Sequence, residues 1–101
     1  MDFFVLGEEE IIIGFDVVGI QGRVVATREE ALAGFHDAMA LSGLRALIIT
    51  EEAASFIEEE ITAWNLAGHF PLVVEIPGIQ GRMEGKKSLM QSIREAVGIS
   101  V

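Results

Sequence analysis

The chain has 101 residues, half of them hydrophobic, with 16 acidic against 7 basic side chains and a formal net charge of -9. That length suits one domain with a single core, taken here as residues 1–101, and that hydrophobic content argues against disorder. Acidity without a clustered basic footprint disfavours nucleic acid and anionic lipid headgroups as partners.

Cysteine is absent, which removes disulfides, thiolate nucleophiles and cysteine metal sites together. Met1-Asp2-Phe3-Phe4 carries no basic region before an apolar stretch, so it does not read as a signal peptide. No uncharged apolar run approaches the roughly 20 residues that cross a bilayer. The expectation is a cytoplasmic protein without membrane insertion.

Phe3-Phe4-Val5-Leu6, ending at Gly7, suits a strand buried on both faces. Glu8 to Val18 follows with three acids at its start, where a helix dipole favours them; its Ile11-Ile12-Ile13 run is β-branched and fits a strand equally. Gly22 to Ala26 holds a short second strand, a plausible edge. Thr27 and Glu30 then have capping-box spacing, Glu30 reaching back to Thr27. The helix that follows, through Leu41, puts Ala31, Leu32, Phe35 and Met39 on one face, and Ser42-Gly43 ends it.

Ala46-Leu47-Ile48-Ile49 reads as the central strand, with Thr50 as N-cap of the next helix and Glu51 and Glu52 in its first turn. That helix runs to Gly68, with Ala54, Ile57, Ile61 and Trp64 as its apolar stripe. Pro71 opens a fourth strand, Leu72 to Ile76, closed by Pro77-Gly78. A polar loop, Ile79 to Lys87, leads to a last helix. There Ser88 and Gln91 have capping-box spacing, Leu89, Met90, Ile93, Ala96 and Val97 form a stripe, and Gly98 is the stop. Gly19-Ile20-Gln21-Gly22-Arg23 recurs as Gly78-Ile79-Gln80-Gly81-Arg82, but the flanks do not repeat, so this reads as two similar glycine turns.

Strand and helix alternate four times. The expected fold is α/β: a single flavodoxin-like, receiver-like domain with a four-stranded parallel sheet of order 2-1-3-4 and helices on both faces.

Ligands of such sheets sit beyond the carboxyl ends of the strands. A receiver needs a phospho-acceptor Asp after the third strand, where this chain has Thr50, and a Lys after a late strand, where it has none. Gly19-Ile20-Gln21-Gly22 lacks dinucleotide-fingerprint spacing, and Gly85-Lys86-Lys87-Ser88 lacks the upstream Gly of a phosphate loop. His36 and His69 have no partner at metal-ligand spacing and read as packed or exposed side chains. No Ser sits in a nucleophile elbow, and Glu58-Glu59-Glu60 reads as a solvated helix face. No cofactor and no catalytic residue are expected. Glu8 and Glu51 could approach at the sheet end as a weak cation site.

Several segments in this order resemble one family: a first strand ending in Gly7-Glu8; Gly14-Phe15 before Val18-Gly19; Leu47-Ile48-Ile49-Thr50-Glu51; Pro71 to Gly78; and Ser88-Leu89 leading to Ile93-Arg94-Glu95-Ala96-Val97-Gly98. Together they are similar to the F subunit of the V-type/A-type rotary ATPases (ATP synthases). The chain departs from that pattern at Glu8, where the family often has Asp, and in its very apolar Ile11-Ile12-Ile13. The resemblance implies a non-catalytic subunit of the central stalk, peripheral to a membrane-bound complex. Such a subunit binds the coiled-coil D subunit of the stalk and helps couple ATP hydrolysis or synthesis to ion transport. The alternative is a stand-alone receiver-like signalling or adaptor domain without the phospho-acceptor Asp.

A docking role places contact candidates in the last loop and helix. They are Gln80, Arg82, Met83, Met90, Ile93 and Arg94. Met adapts to partner surfaces, and the two arginines can pair with partner carboxylates. The competing reading is that the stripe covers the chain's own sheet.

Overall fold

A computed structural model describes residues 1–78. In chain order they form β1 (Phe3–Gly7), α1 (Glu9–Val17), β2 (Gly22–Val24), α2 (Arg28–Met39), β3 (Ala46–Thr50), α3 (Glu51–Ser55), α4 (Glu58–Ala67) and β4 (Leu72–Ile76). The sheet order is β2-β1-β3-β4 with every pair parallel, as the alternation of elements predicts. The last predicted helix lies outside the described residues. Ile11-Ile12-Ile13 is helical, which resolves the ambiguity of that run. A helix there carries the chain back across the sheet so that β2 can run parallel to β1.

Register assigns each residue to a face. Val5 lies opposite Gly22 and Ile48, and Ile48 opposite Val74. Leu6 lies opposite Ile49, and Leu47 opposite Val73. Paired residues of adjacent strands share a face, and neighbours along a strand alternate. Val5, Ile48 and Val74 therefore share one face; Leu6, Leu47, Ile49 and Val73 share the other.

The second face is closed. Leu6, Val25, Leu47 and Ile49 form one buried cluster with Ala31, Phe35 and Ala38 of α2, Ala53 and Ala54 of α3, and Ile57 and Ile61. Small residues let the helices come close: a Cβ at Gly34 would lie 2.9 Å from Leu6 Cδ2. Leu32 and Met39, expected on the buried face of α2, pack against this cluster while half-exposed. Trp64 stacks edge-on to Phe35 with ring centroids 6.1 Å apart, and its Nε1–H donates to the Pro71 carbonyl at 2.8 Å. That bond ties α4 to the start of β4.

The single helix expected from Thr50 to Gly68 is two helices. At the break Ile57 takes φ -135° and ψ 38°, and the Phe56 and Ile57 N–H groups bond three residues back, to Ala53 and Ala54. Ile57 becomes fully buried there. Arg28 Nη1 donates to the Phe56 carbonyl at 2.5 Å, supplying a partner for a group that an unbroken helix would have bonded internally. No Gly or Pro marks the break; its cause is the burial of Ile57 and an arginine from α2.

The caps follow the sequence more closely. Thr27 Oγ1 accepts from the Glu30 N–H at 3.1 Å, while Glu30 Oε1 accepts from Ala26 N–H at 2.8 Å. The acid thus reaches one residue beyond the expected Thr27. Gly68 ends α4 at φ 71°, a left-handed conformation that favours glycine.

Among the described residues the first face is covered only in part: Val5 is buried, but the cover thins towards β4. Among the described residues α1 alone packs on it, and none of the nine α1 residues is buried; Ile11, Ile12 and Phe15 are half-buried. Close contact occurs only over β1 and β2, where a Cβ at Gly22 would lie 3.0 Å from Ile12 Cδ1. Over β4, Leu72 and Val74 are 55% and 43% exposed.

Candidate functional site

The carboxyl edge of the sheet, where an enzyme of this architecture would place its chemistry, is filled by its own side chains. Thr50, at the end of β3, is fully buried. Its Oγ1 accepts from the Ala53 N–H at 3.2 Å, capping α3, and donates to Glu8 Oε2. A Cβ at Gly7 would lie 2.6 Å from Thr50 Cγ2, so the threonine fits only because β1 ends in glycine. Gly78 packs on the Glu8 carboxylate from the β4 side, close enough that a Cβ there would push the carboxylate aside. Thr50 thus stands where a receiver carries its acceptor Asp, but its hydroxyl is committed in both directions and out of solvent.

Glu8 therefore serves as an acceptor for Thr50. The described residues hold no group of three or more His, Asp or Glu side chains suited to a metal ion. No motif in the sequence pairs Glu8 with Thr50. The signal that could have found the pair is Gly7, because a glycine at the end of a central strand marks a close approach.

A second concavity, of about 570 Å³, lies between α2 and α4. Phe35, His36, Met39, Glu60, Trp64 and His69 are among its walls. Both histidines pack against aromatic rings, His36 at 6.2 Å from Phe35 and His69 at 5.2 Å from Trp64, and both are exposed. Glu60 accepts from Arg28 Nη2 at 2.8 Å. Its carboxyl is held below the ordinary carboxylate value, chiefly by hydrogen bonding from the backbone and then from Arg28. One member of the Glu58-Glu59-Glu60 run is thus bonded across to α2, rather than all three lying on a solvated face.

The predicted contact residues Gln80, Arg82, Met83, Met90, Ile93 and Arg94 all lie outside the described residues. Among the described residues no helix is long and apolar enough to cross a membrane.

A family model described as ATP synthase (F/14-kDa) subunit matches residues 3–95. The F subunit of the V-type ATP synthase of Clostridium perfringens is 31% identical over 98 residues, covering 96% of this chain and 91% of that protein. The F subunit of the A-type ATP synthase of Methanocaldococcus jannaschii is 30% identical over 98 residues, covering 96% and 95%. A more distant relative, the F subunit of the A-type ATP synthase of Thermococcus sibiricus, is 23% identical over the whole chain and 98% of its own. The family match spans every described strand and helix and runs on to residue 95. The chain belongs to the family of the ATP synthase (F/14-kDa) subunit.

Proposed function

We propose that this protein is a non-catalytic central-stalk subunit of a V/A-type rotary ATPase, acting over residues 1–101 as one docking domain. It binds the coiled-coil D subunit of the stalk and helps couple ATP hydrolysis or synthesis in the head to ion transport in the membrane. It is cytoplasmic and peripheral to the membrane-bound complex. The observation that carries this reading is the family match over residues 3–95. The filled carboxyl edge supports it, since Thr50, Glu8 and Gly78 take the space that a substrate or phosphoryl group would need.

Binding is expected through Gln80, Arg82, Met83, Met90, Ile93 and Arg94. Apolar anchors such as Met83 and Ile93 supply most of the energy of a docking surface, and flanking arginines set register against partner carboxylates. The test is affinity for the purified D subunit, measured by titration calorimetry with the wild-type chain and with Met83→Glu and Ile93→Glu. A loss of at least tenfold in both variants, with unchanged circular dichroism, supports the surface. Unchanged affinity of the folded variants removes it, and no binding by the wild-type chain removes the D subunit as the partner.

A further inference from the structure

The concavity between α2 and α4 is an apolar groove whose walls are already held in place. Its floor is Phe35, buried, with Met39 and Trp64 half-buried. Trp64 is fixed from two sides, by the edge-on ring of Phe35 and by its bond to the Pro71 carbonyl, so it need not be ordered again when something binds. The rim is low. Ala40, Ala63 and Ala67 are exposed along it, and such small side chains let another backbone come close. Apolar surface continues past the rim: Leu66, three residues on from Ala63, and Phe70, beside His69, are 83% and 75% exposed.

Shape and charge together say what fits there. The α4 wall runs from Glu60 to Ala67, about 12 Å of helix, which matches two turns of another helix lying in the groove. A helix placed so presents side chains at i, i+3 or i+4, and i+7 to Trp64 and Met39. The surroundings are acidic. α2, α3 and α4 carry eight acidic side chains and one basic, Arg28, which is bonded to Glu60. Arg23 of β2 is bonded to Asp37 in the same way. Glu60 is part of the groove wall, and Glu59 precedes Ala63 by one turn on the exposed side of α4. A second copy of the chain is a poor match, since each carries a formal net charge of -9.

We propose that this groove docks a basic amphipathic helix of a partner protein, with its apolar side chains on Trp64 and Met39 and its lysines or arginines facing the acidic side chains around them. Trp64 is the anchor, a large ring held rigid at the centre of the contact. The basic side chains orient the helix and speed its encounter more than they add affinity. The surface is built from residues 35–69, apart in sequence from the contact candidates between Gln80 and Arg94. The inference goes beyond the proposed function and does not rest on it.

Trp64 is the only tryptophan of the chain, so its emission reports on the groove directly. The full chain is titrated, at about 0.15 M salt, with a synthetic leucine-lysine peptide of about 15 residues whose leucines fall on one face of a helix. The expected result is a saturable blue shift of the Trp64 emission, with the same peptide carrying glutamate for lysine binding at least tenfold more weakly. Ala63→Arg sets a long cation on the rim and should weaken binding of the lysine peptide at least tenfold. Asn65→Arg adds an equal charge at an exposed position on the opposite side of α4 and should weaken it less than threefold. Ala67→Arg takes the place of Ala63→Arg if that variant does not fold. Trp64 emission unmoved by the peptide, equal affinity for the two peptides, or equal weakening by the two arginines each overturns the proposal. A dimer in sedimentation that Ala63→Arg dissociates overturns it too, because a second copy then holds the groove.

Discussion

The closed and open faces of the sheet are built from the same strands, residue by alternate residue, yet they bury their side chains to different degrees. Leu6, Leu47 and Ile49 point to the closed face and lose all solvent contact; Leu72 and Val74, on strands paired in the same ladder, keep about half of theirs. The difference lies in what packs on top. α2 and α3 approach closely through Ala31, Gly34, Ala38, Ala53 and Ala54, and α4 adds Ile61, while α1 presents a β-branched run and has none of its own residues buried. An apolar strand thus offers two faces, and the helices decide which becomes core.

The largest effect expected is at the closed face. Leu47→Ala removes a fully buried side chain and should cost about 2–5 kcal/mol, read by urea unfolding. A cost below about 1 kcal/mol would break the distinction between the faces. Gly7→Ala tests the close approach at the sheet's carboxyl edge, where the new Cβ would stand 2.6 Å from Thr50 Cγ2. The expected loss there is about 1–3 kcal/mol. Thr50→Ser keeps the hydroxyl and removes that methyl, so combining it with Gly7→Ala should recover part of the loss in the same assay.

Thr27→Ala removes the acceptor that caps α2 and should cost about 1 kcal/mol. On the open face, Val74→Ala should cost about 1 kcal/mol or less, well under Leu47→Ala. An equal cost would mean that the two faces are energetically alike. The smallest effect concerns Glu60, whose folded carboxyl titrates below its unfolded value. Its contribution is present above the unfolded value and is lost as pH falls through the folded one. Stability should therefore decline as pH drops through the carboxylate range, and Arg28→Ala should flatten that decline, measured by thermal melts at stepped pH.

The strands and their order were legible because hydrophobic runs bounded by Gly7, Thr50 and Pro77-Gly78 are local signals, and alternating elements leave few right-handed topologies. The N-caps at Thr27 and Thr50 were legible for the same reason, each resting on a bond to a residue three positions on. The break at Ile57 was not. Its determinants are Arg28, 28 residues from the carbonyl it binds, and a core that draws Ile57 in. At the candidate site, Thr50 rather than Asp after the third strand could be read from the sequence, whereas the bond from Thr50 to Glu8 spans 42 residues and needed the fold to bring the two together.

The amino-acid sequence by itself determined the family, the sheet order and the positions of the caps, since these depend on residue types and on contacts within a few positions. Tertiary structure alone decided which face of the sheet is sealed, where the third helical segment divides, and that Thr50 and Glu8 close the carboxyl edge. Each of these depends on side chains far apart in the chain meeting at van der Waals or hydrogen-bond distance, and no local pattern encodes such a meeting.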